Sequence, residues 1–156
     1  MYPEFFSPTH NSVRKLLLAL GASAVLALAG AAPAGAQTAA DVNATLDTLF
    51  GDHASYQQFF ETLKKAVAAD DKAAVASMVD YPFQARIGGK AVKIKDAAHF
   101  VNDYDKVVTS KVKQAVARQT YPTLFANWQG VSIGDGELWF SGVGAKNTVK
   151  IIAIND

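Results

Sequence analysis

Between Ser55 and Val67 the apolar residues Tyr56, Phe59, Phe60, Leu63 and Val67 fall at i, i+3, i+4, i+7 and i+11. That spacing lines one face of an α-helix, and Ser55 followed by Gln58 fits a capping box at its start. The stripe reads as core. Upstream, Val42, Leu46, Leu49 and Phe50 predict a shorter amphipathic helix over Asp41–Phe50, ending at Gly51. Downstream, Asp70 or Asp71 is expected to cap a third helix over Lys72–Val79. Tyr81-Pro82 stops it, because the residue before a proline is pushed out of the helical basin.

The period then changes to two. Phe83, Ala85 and Ile87 face one way and Gln84 and Arg86 the other; Gly88-Gly89 predicts a tight turn, with Val92 and Ile94 alternating against Lys93 and Lys95 on the return strand. Asp96 is a good N-cap for the helix that follows, whose stripe is Phe100, Val101, Tyr104, Val107 and Val108. Ser110 restarts a helix with Val112, Ala115 and Val116 inward, and Tyr121-Pro122 ends it. Strands are expected over Trp128–Ile133 and Glu137–Val143 around the hairpin signal Gly134-Asp135-Gly136, with a last strand over Val149–Asn155. Helices grouped before and between antiparallel strands predict an α+β domain. A sheet of about five strands would twist and curl around the helices, leaving a concave face lined by aromatics where a pocket would form.

The apolar run that opens the chain has a different character. Arg14 and Lys15 precede Leu16–Ala32, which leads into Pro33-Ala34-Gly35-Ala36-Gln37. A positive n-region, an apolar h-region and a small-x-small box predict a secretory signal peptide over residues 1–36, with the mature chain starting at Gln37. The glycines and alanines of the run make it a poor permanent membrane span. Met1–Ser12 has two prolines and no basic residue, which reads as a misassigned start or added sequence. Residues 37–156 are then one α+β domain, expected in the periplasm or secreted, with no stable membrane span.

Charge narrows the partners. The chain holds 15 Lys and Arg and 14 Asp and Glu; losing Arg14, Lys15 and Glu4 leaves the mature part formally neutral. A neutral chain without a basic block has no electrostatic reason to bind nucleic acid or anionic lipid. There is no cysteine, hence no disulfide, no thiol nucleophile and no thiolate metal site.

Tyr81-Pro82-Phe83, Gly88-Gly89, Ile94, Phe100 and Tyr104-Asp105 come first in a longer pattern. Asn127-Trp128-Gln129-Gly130 and Gly134-Asp135-Gly136-Glu137-Leu138-Trp139-Phe140 complete it, and the chain thereby resembles small exported bacterial proteins of the NTF2-like (cystatin-like) superfamily. The resemblance spans roughly Tyr56 to Asn155 and rests on hairpin turns and core aromatics. It implies a curved antiparallel sheet wrapped around N-terminal and central helices. That superfamily includes dehydratases, isomerases, hydrolases, immunity proteins and non-catalytic binding domains, so the fold leaves the function open. Its catalytic members usually carry a His/Asp pair or an Asp/Tyr set in the pocket.

Candidate chemistry is sparse. His99 and Asp103 stand at i, i+4, where His99 could act as a base oriented by Asp103, but both lie off the apolar stripe, as on a solvated helix face. His53, after Gly51-Asp52, reads as a loop residue. No H-x-H, H-E-x-x-H or calcium-loop spacing occurs, so neither a metal nor a cofactor is expected. Gly134-x-Gly136 lies between strands and Ser141 is not on a nucleophile elbow. Glu137 and Trp139, two apart, share a strand face, with Trp128 on the partner strand and Arg86 on an adjacent one. Either that face is concave, making a carboxylate-and-indole ligand pocket, or Glu137 points to solvent. Tyr81 and Tyr104 complete the candidate ligand-binding set, and Asn127 and Gln129 could add neutral partners.

Three functions follow from this. The first is a non-catalytic exported domain binding a small molecule or an envelope protein. The second is an enzyme of the dehydratase, isomerase or hydrolase type carried by His99 or Glu137. The third is an inhibitor or immunity protein that plugs a cell-wall hydrolase with Gly144–Thr148 or Gly88–Lys90. An empty aromatic cavity favours the binder, and a filled interior with a protruding loop favours the inhibitor.

Overall fold

Helix α1 (Ala39–Phe50) starts the domain in the computed structural model, which describes residues 36–156. The expected signal peptide therefore lies, except for Ala36, outside the described residues. Thr38 and Asp41 form a reciprocal box: the Thr38 side chain accepts the Asp41 N–H, and the Asp41 carboxylate accepts the Thr38 N–H at 2.8 Å. This box sets the start two residues ahead of the expected one. Gly51, at φ 80°, ends the helix in the left-handed basin that glycine enters without penalty.

Helix α2 (His53–Ala68) is capped by Asp52, not Ser55. The Asp52 carboxylate accepts the Ala54 N–H at 2.9 Å and the Ser55 N–H at 3.4 Å, and the Ser55 hydroxyl donates to it as well. A carboxylate also meets the positive end of the helix dipole, which a hydroxyl cannot match. His53 is accordingly the first helical residue, not a loop residue. Helix α3 (Lys72–Ser77) is capped by Asp71 and stops short of Val79, which leaves to bridge Ile151.

Strands β1 (Phe83–Ile87) and β2 (Lys90–Ile94) pair from Phe83↔Ile94 to Ile87↔Lys90 about the Gly88-Gly89 turn. Asp96 caps α4 (Ala97–Val107) and Thr109 caps α5 (Ser110–Arg118). After a 3-10 turn at Tyr121–Thr123 come β3 (Phe125–Asn127), β4 (Gly130–Ile133), β5 (Leu138–Val143) and β6 (Thr148–Ile154). The last four form one antiparallel sheet in that order, while β1 and β2 form a separate two-stranded sheet. The α+β class holds. The single sheet of about five strands does not: β3 was not foreseen, and the first hairpin contacts β6 without joining its ladder. No described helix is long and apolar enough to cross a membrane.

The register splits the four-stranded sheet into two faces. Ala126, Val131, Phe140 and Ile151 form one cross-strand row, and the last three are fully buried. The helix stripe lands on this row: the Phe59 and Tyr56 rings lie 5.0 and 6.2 Å from Phe140, and Phe60, Leu63 and Val67 are buried with them. The Tyr56 hydroxyl accepts the Gly142 N–H at 2.9 Å. The aromatics expected to line an open concave face therefore fill that face. Gly130 permits the close strand pairing beside them: a Cβ there would lie 2.7 Å from the Phe140 carbonyl oxygen, at φ 149°.

Candidate functional site

The opposite face carries the row Phe125, Ser132, Trp139 and Ala153. Side chains alternate along a strand, so Leu138 and Phe140 point to the core and Trp139 points outward, half-buried. Phe125 meets the Trp139 ring edge-on at 6.3 Å, and Ser132, between them in register, is 4% exposed. Glu137, the residue before β5, keeps its side chain only 11% exposed.

Several bonds hold Glu137 there. Its Oε2 accepts the Asp135 N–H at 2.6 Å, and the Lys111 ammonium of α5 stands 3.7 Å from Oε1. Its backbone carbonyl accepts the Asn155 N–H, and the Asn155 side chain donates to the Gly136 carbonyl, both at 2.8 Å. Just past the end of α5, the Gln119 side chain accepts the Gly134 N–H at 2.8 Å. The hairpin tip is thus strapped to the end of α5 and to the tail of β6, and the carboxylate is fixed before any ligand arrives.

Two depressions flank Glu137. One, of about 480 Å³, is lined by Lys111, Asp135, Gly136, Glu137, Trp139, Asn155 and Asp156. The other, of about 230 Å³, is lined by Ala115, Arg118, Gln119, Thr123, Gly134, Asp135 and Glu137. Carboxylates, one ammonium and an indole around the larger one can take a small group that donates hydrogen bonds and presents a flat or apolar side to the ring.

The remaining candidates lie elsewhere. Trp128 is not on a strand: the Asn127 side chain accepts the Gln129 N–H at 2.8 Å, turning the chain there, and Trp128 is 80% exposed at that turn. Arg86 is exposed on β1, in the other sheet, and does not join Glu137 and Trp139. Tyr81 donates its hydroxyl to the Ala76 carbonyl at 2.8 Å and packs edge-on against Phe100. Burial, and secondarily the Asp96 carboxylate, push this phenol up to about 12, so it stays protonated as a structural donor.

Tyr104 is fully buried, and its hydroxyl has no hydrogen-bond partner among the described residues. Lys72 and Lys113 stand 5.3 and 5.0 Å from its ring centroid. Asp105 binds Lys72 at 2.6 Å, and Asp70 binds Lys113 at 2.7 Å, so the ring lies under a surface ion-pair network. Burial raises the phenol's pKa, partly offset by Lys113.

His99 does approach Asp103, Nε2 to Oδ2 at 3.3 Å. The Asp103 carboxylate, however, also binds Lys106 at 2.8 Å, and that hydrogen bond is the main cause that holds it below the usual carboxylate range. His99 Nδ1 faces the Lys95 N–H at 3.4 Å, and the His99 N–H binds the Asp96 cap. His53 is tied to Asp47 at 2.8 Å. Among the described residues, no three His, Asp or Glu side chains gather as a metal site.

Lys111, Gln119 and Asn155 also surround the site, brought there by tertiary packing with no local pattern in the sequence to mark them. Asn127 and Gln129, expected as neutral partners of the pocket, instead bond each other in the turn after β3 and line neither depression. The chain matches no family model, no curated protein and no solved structure.

Proposed function

We propose that this protein is an exported, non-catalytic binding domain of the bacterial cell envelope. It recognises a small molecule or a partner protein at the depression shared by Glu137 and Trp139. One observation carries the reading: a nearly buried carboxylate, fixed by the hairpin tip, opens onto the same depression as a half-buried indole. Export rests on Arg14-Lys15, the apolar run Leu16–Ala32 and the Ala34-Gly35-Ala36 box. The mature chain is then periplasmic or secreted. The NTF2-like assignment rests on the order of helices, hairpin, helices and meander, together with the turn and core motifs quoted above.

The binding test uses the two indoles separately. In a Trp128→Phe background Trp139 is the remaining tryptophan, so ligand entry shifts its fluorescence, and Glu137→Gln weakens that response. His99→Ala leaves it unchanged. If His99→Ala instead abolishes an activity in a folded protein, the enzyme reading replaces this one. Export is tested by intact mass: the secreted form begins at Gln37, and a mature species retaining Leu16–Ala32 contradicts the assignment.

A second reading, an inhibitor of a cell-wall hydrolase, draws on the filled interior and on the exposed Gly88–Lys90 and Gly144–Thr148 segments. Inhibition of such an enzyme, lost when either segment is replaced by alanines and kept in Trp139→Ala, would favour it.

A further inference from the structure

Charge is unbalanced around the larger depression beside Glu137. Asp135, Glu137 and Asp156 set three carboxylates on its lining against one ammonium, Lys111. Asp135 and Asp156 are exposed, and Lys111 keeps 59% of its side chain in solvent, whereas Glu137 keeps 11%. The two oxygens of Glu137 also differ. Oε2 accepts the Asp135 N–H at 2.6 Å; Oε1 has no hydrogen bond among the described residues, and the Lys111 ammonium stands off at 3.7 Å. Oε1 is not sealed in, because Tyr104 Oη is the one sealed side-chain N or O without a partner among the described residues. It therefore opens on the Lys111 side, into the larger depression. A carboxylate oxygen withdrawn from bulk water without a donor is costly to keep, so its fixed position presents an acceptor to a ligand. The wall beside it is the Trp139 indole, whose Nε1 edge lies at the turn tip, 3.4 Å from where a Cβ on Gly136 would stand. An indole ring attracts cations through its quadrupole.

We infer that the group bound here is a guanidinium, an inference that rests on the binding reading of this depression. The sign of its charge follows from the three carboxylates and from the indole. The cation is organic, since among the described residues no three His, Asp or Glu side chains gather to hold a metal ion. Guanidinium is favoured over ammonium by the layout of the acceptors. They sit on three separate pieces of chain: the β4–β5 turn, the residue before β5 and the tail after β6. A planar fork with five N–H donors reaches more of them than a point charge does, and its weakly hydrated face suits an indole wall. Lys111 is then the ligand's competitor for Glu137 Oε1, not its partner.

Titration in the Trp128→Phe background, read from Trp139 fluorescence, compares butylguanidinium with its neutral counterpart butylurea and with the anion pentanoate. Butylguanidinium is expected to bind at least about tenfold more tightly than butylurea, a preference that shrinks as salt is added. Glu137→Gln removes the preference, and Asp156→Asn, at an exposed side chain, reduces it. Lys111→Gln strengthens guanidinium binding by removing the competitor. Acetyl-arginine amide and acetyl-citrulline amide repeat the comparison on a peptide unit. Tighter binding of acetyl-arginine amide than of butylguanidinium places the group on a partner's arginine, and the reverse order places it on a small molecule. Equal affinities for butylguanidinium and butylurea overturn the inference and leave the depression as a site for neutral ligands. Pentanoate binding that Lys111→Gln abolishes overturns it in favour of an anion. If no probe moves the Trp139 signal, the binding reading of the depression falls together with the inference.

Discussion

The two faces of the four-stranded sheet use similar residues to opposite ends. On the inner face Phe140 meets Phe59 and Tyr56 at ring distances of 5.0 and 6.2 Å, and Phe60 packs edge-tilted against Tyr121 at 6.1 Å. On the outer face Phe125 and Trp139 keep solvent on at least one side, Trp139 beside the fixed polar groups of the β4–β5 turn, and Trp128 is exposed at the turn after β3. The inner aromatics are placed by periodicity, so their burial is a matter of stability. Phe125 and Trp128 are placed by the edge strand β3 and the turn after it, and Trp139 by alternation along β5, so their exposure contributes little to folding.

The largest expected effect separates the faces by stability. Phe60→Ala removes a ring that is 1% exposed at mid-stripe and costs about 3–5 kcal/mol, whereas Phe125→Ala changes stability by no more than about 0.5 kcal/mol. Chemical denaturation compares them directly. Equal midpoints would mean that the stripe does not form the core. A smaller effect is expected at the join of the faces. Gly130→Ala sets a Cβ against the Phe140 carbonyl and costs about 1–3 kcal/mol by forcing β4 and β5 apart. An alanine variant as stable as the parent would contradict this strand pairing.

Smaller still is the cap of α2. Asp52→Ala leaves the Ala54 and Ser55 amides without their acceptor and lowers the denaturation midpoint, and Ser55→Ala lowers it less. The reverse ranking would restore Ser55 as the cap. The surface network over Tyr104 contributes least, and through pH. Asp105 is held below its ordinary range chiefly by its hydrogen bond from Lys72. Its contribution is therefore present above the unfolded carboxylate value of about 3.9 and is lost as pH falls through the lower folded value. Lys113, raised chiefly by Asp70, contributes below about 10.4 and loses that contribution as pH rises through its raised value. Lys72→Met should therefore flatten the acid limb of stability against pH; an unchanged limb would show that the pair carries no linkage.

What the chain alone made legible follows the same division. Helices α2, α4 and α5 and the β1–β2 hairpin were readable because apolar period and turn glycines agree, and at α4 the expected Asp96 cap agrees as well, with Phe100 and Tyr104 behind it. Errors fell where one local hydrogen bond decides. The Asn127 side chain turns the chain at Trp128 and creates β3, Asp52 outcompetes Ser55, and Val79 leaves its helix for Ile151. Glu137 and Trp139 could be paired from their spacing of two, but Lys111, Gln119 and Asn155 reach them only through tertiary packing, to which a one-dimensional pattern is blind.

The proposed recognition on the outer face is tested most directly by amide and indole NMR of the mature chain titrated with a fragment library of small aromatic amines and polar heterocycles. The account predicts perturbations that cluster on the Trp139 indole N–H and on the amides of Lys111, Glu137 and Asn155, and that vanish in Trp139→Ala. Perturbations centred on His99 and Asp103, or on the buried rings of Phe59 and Phe140, would contradict it.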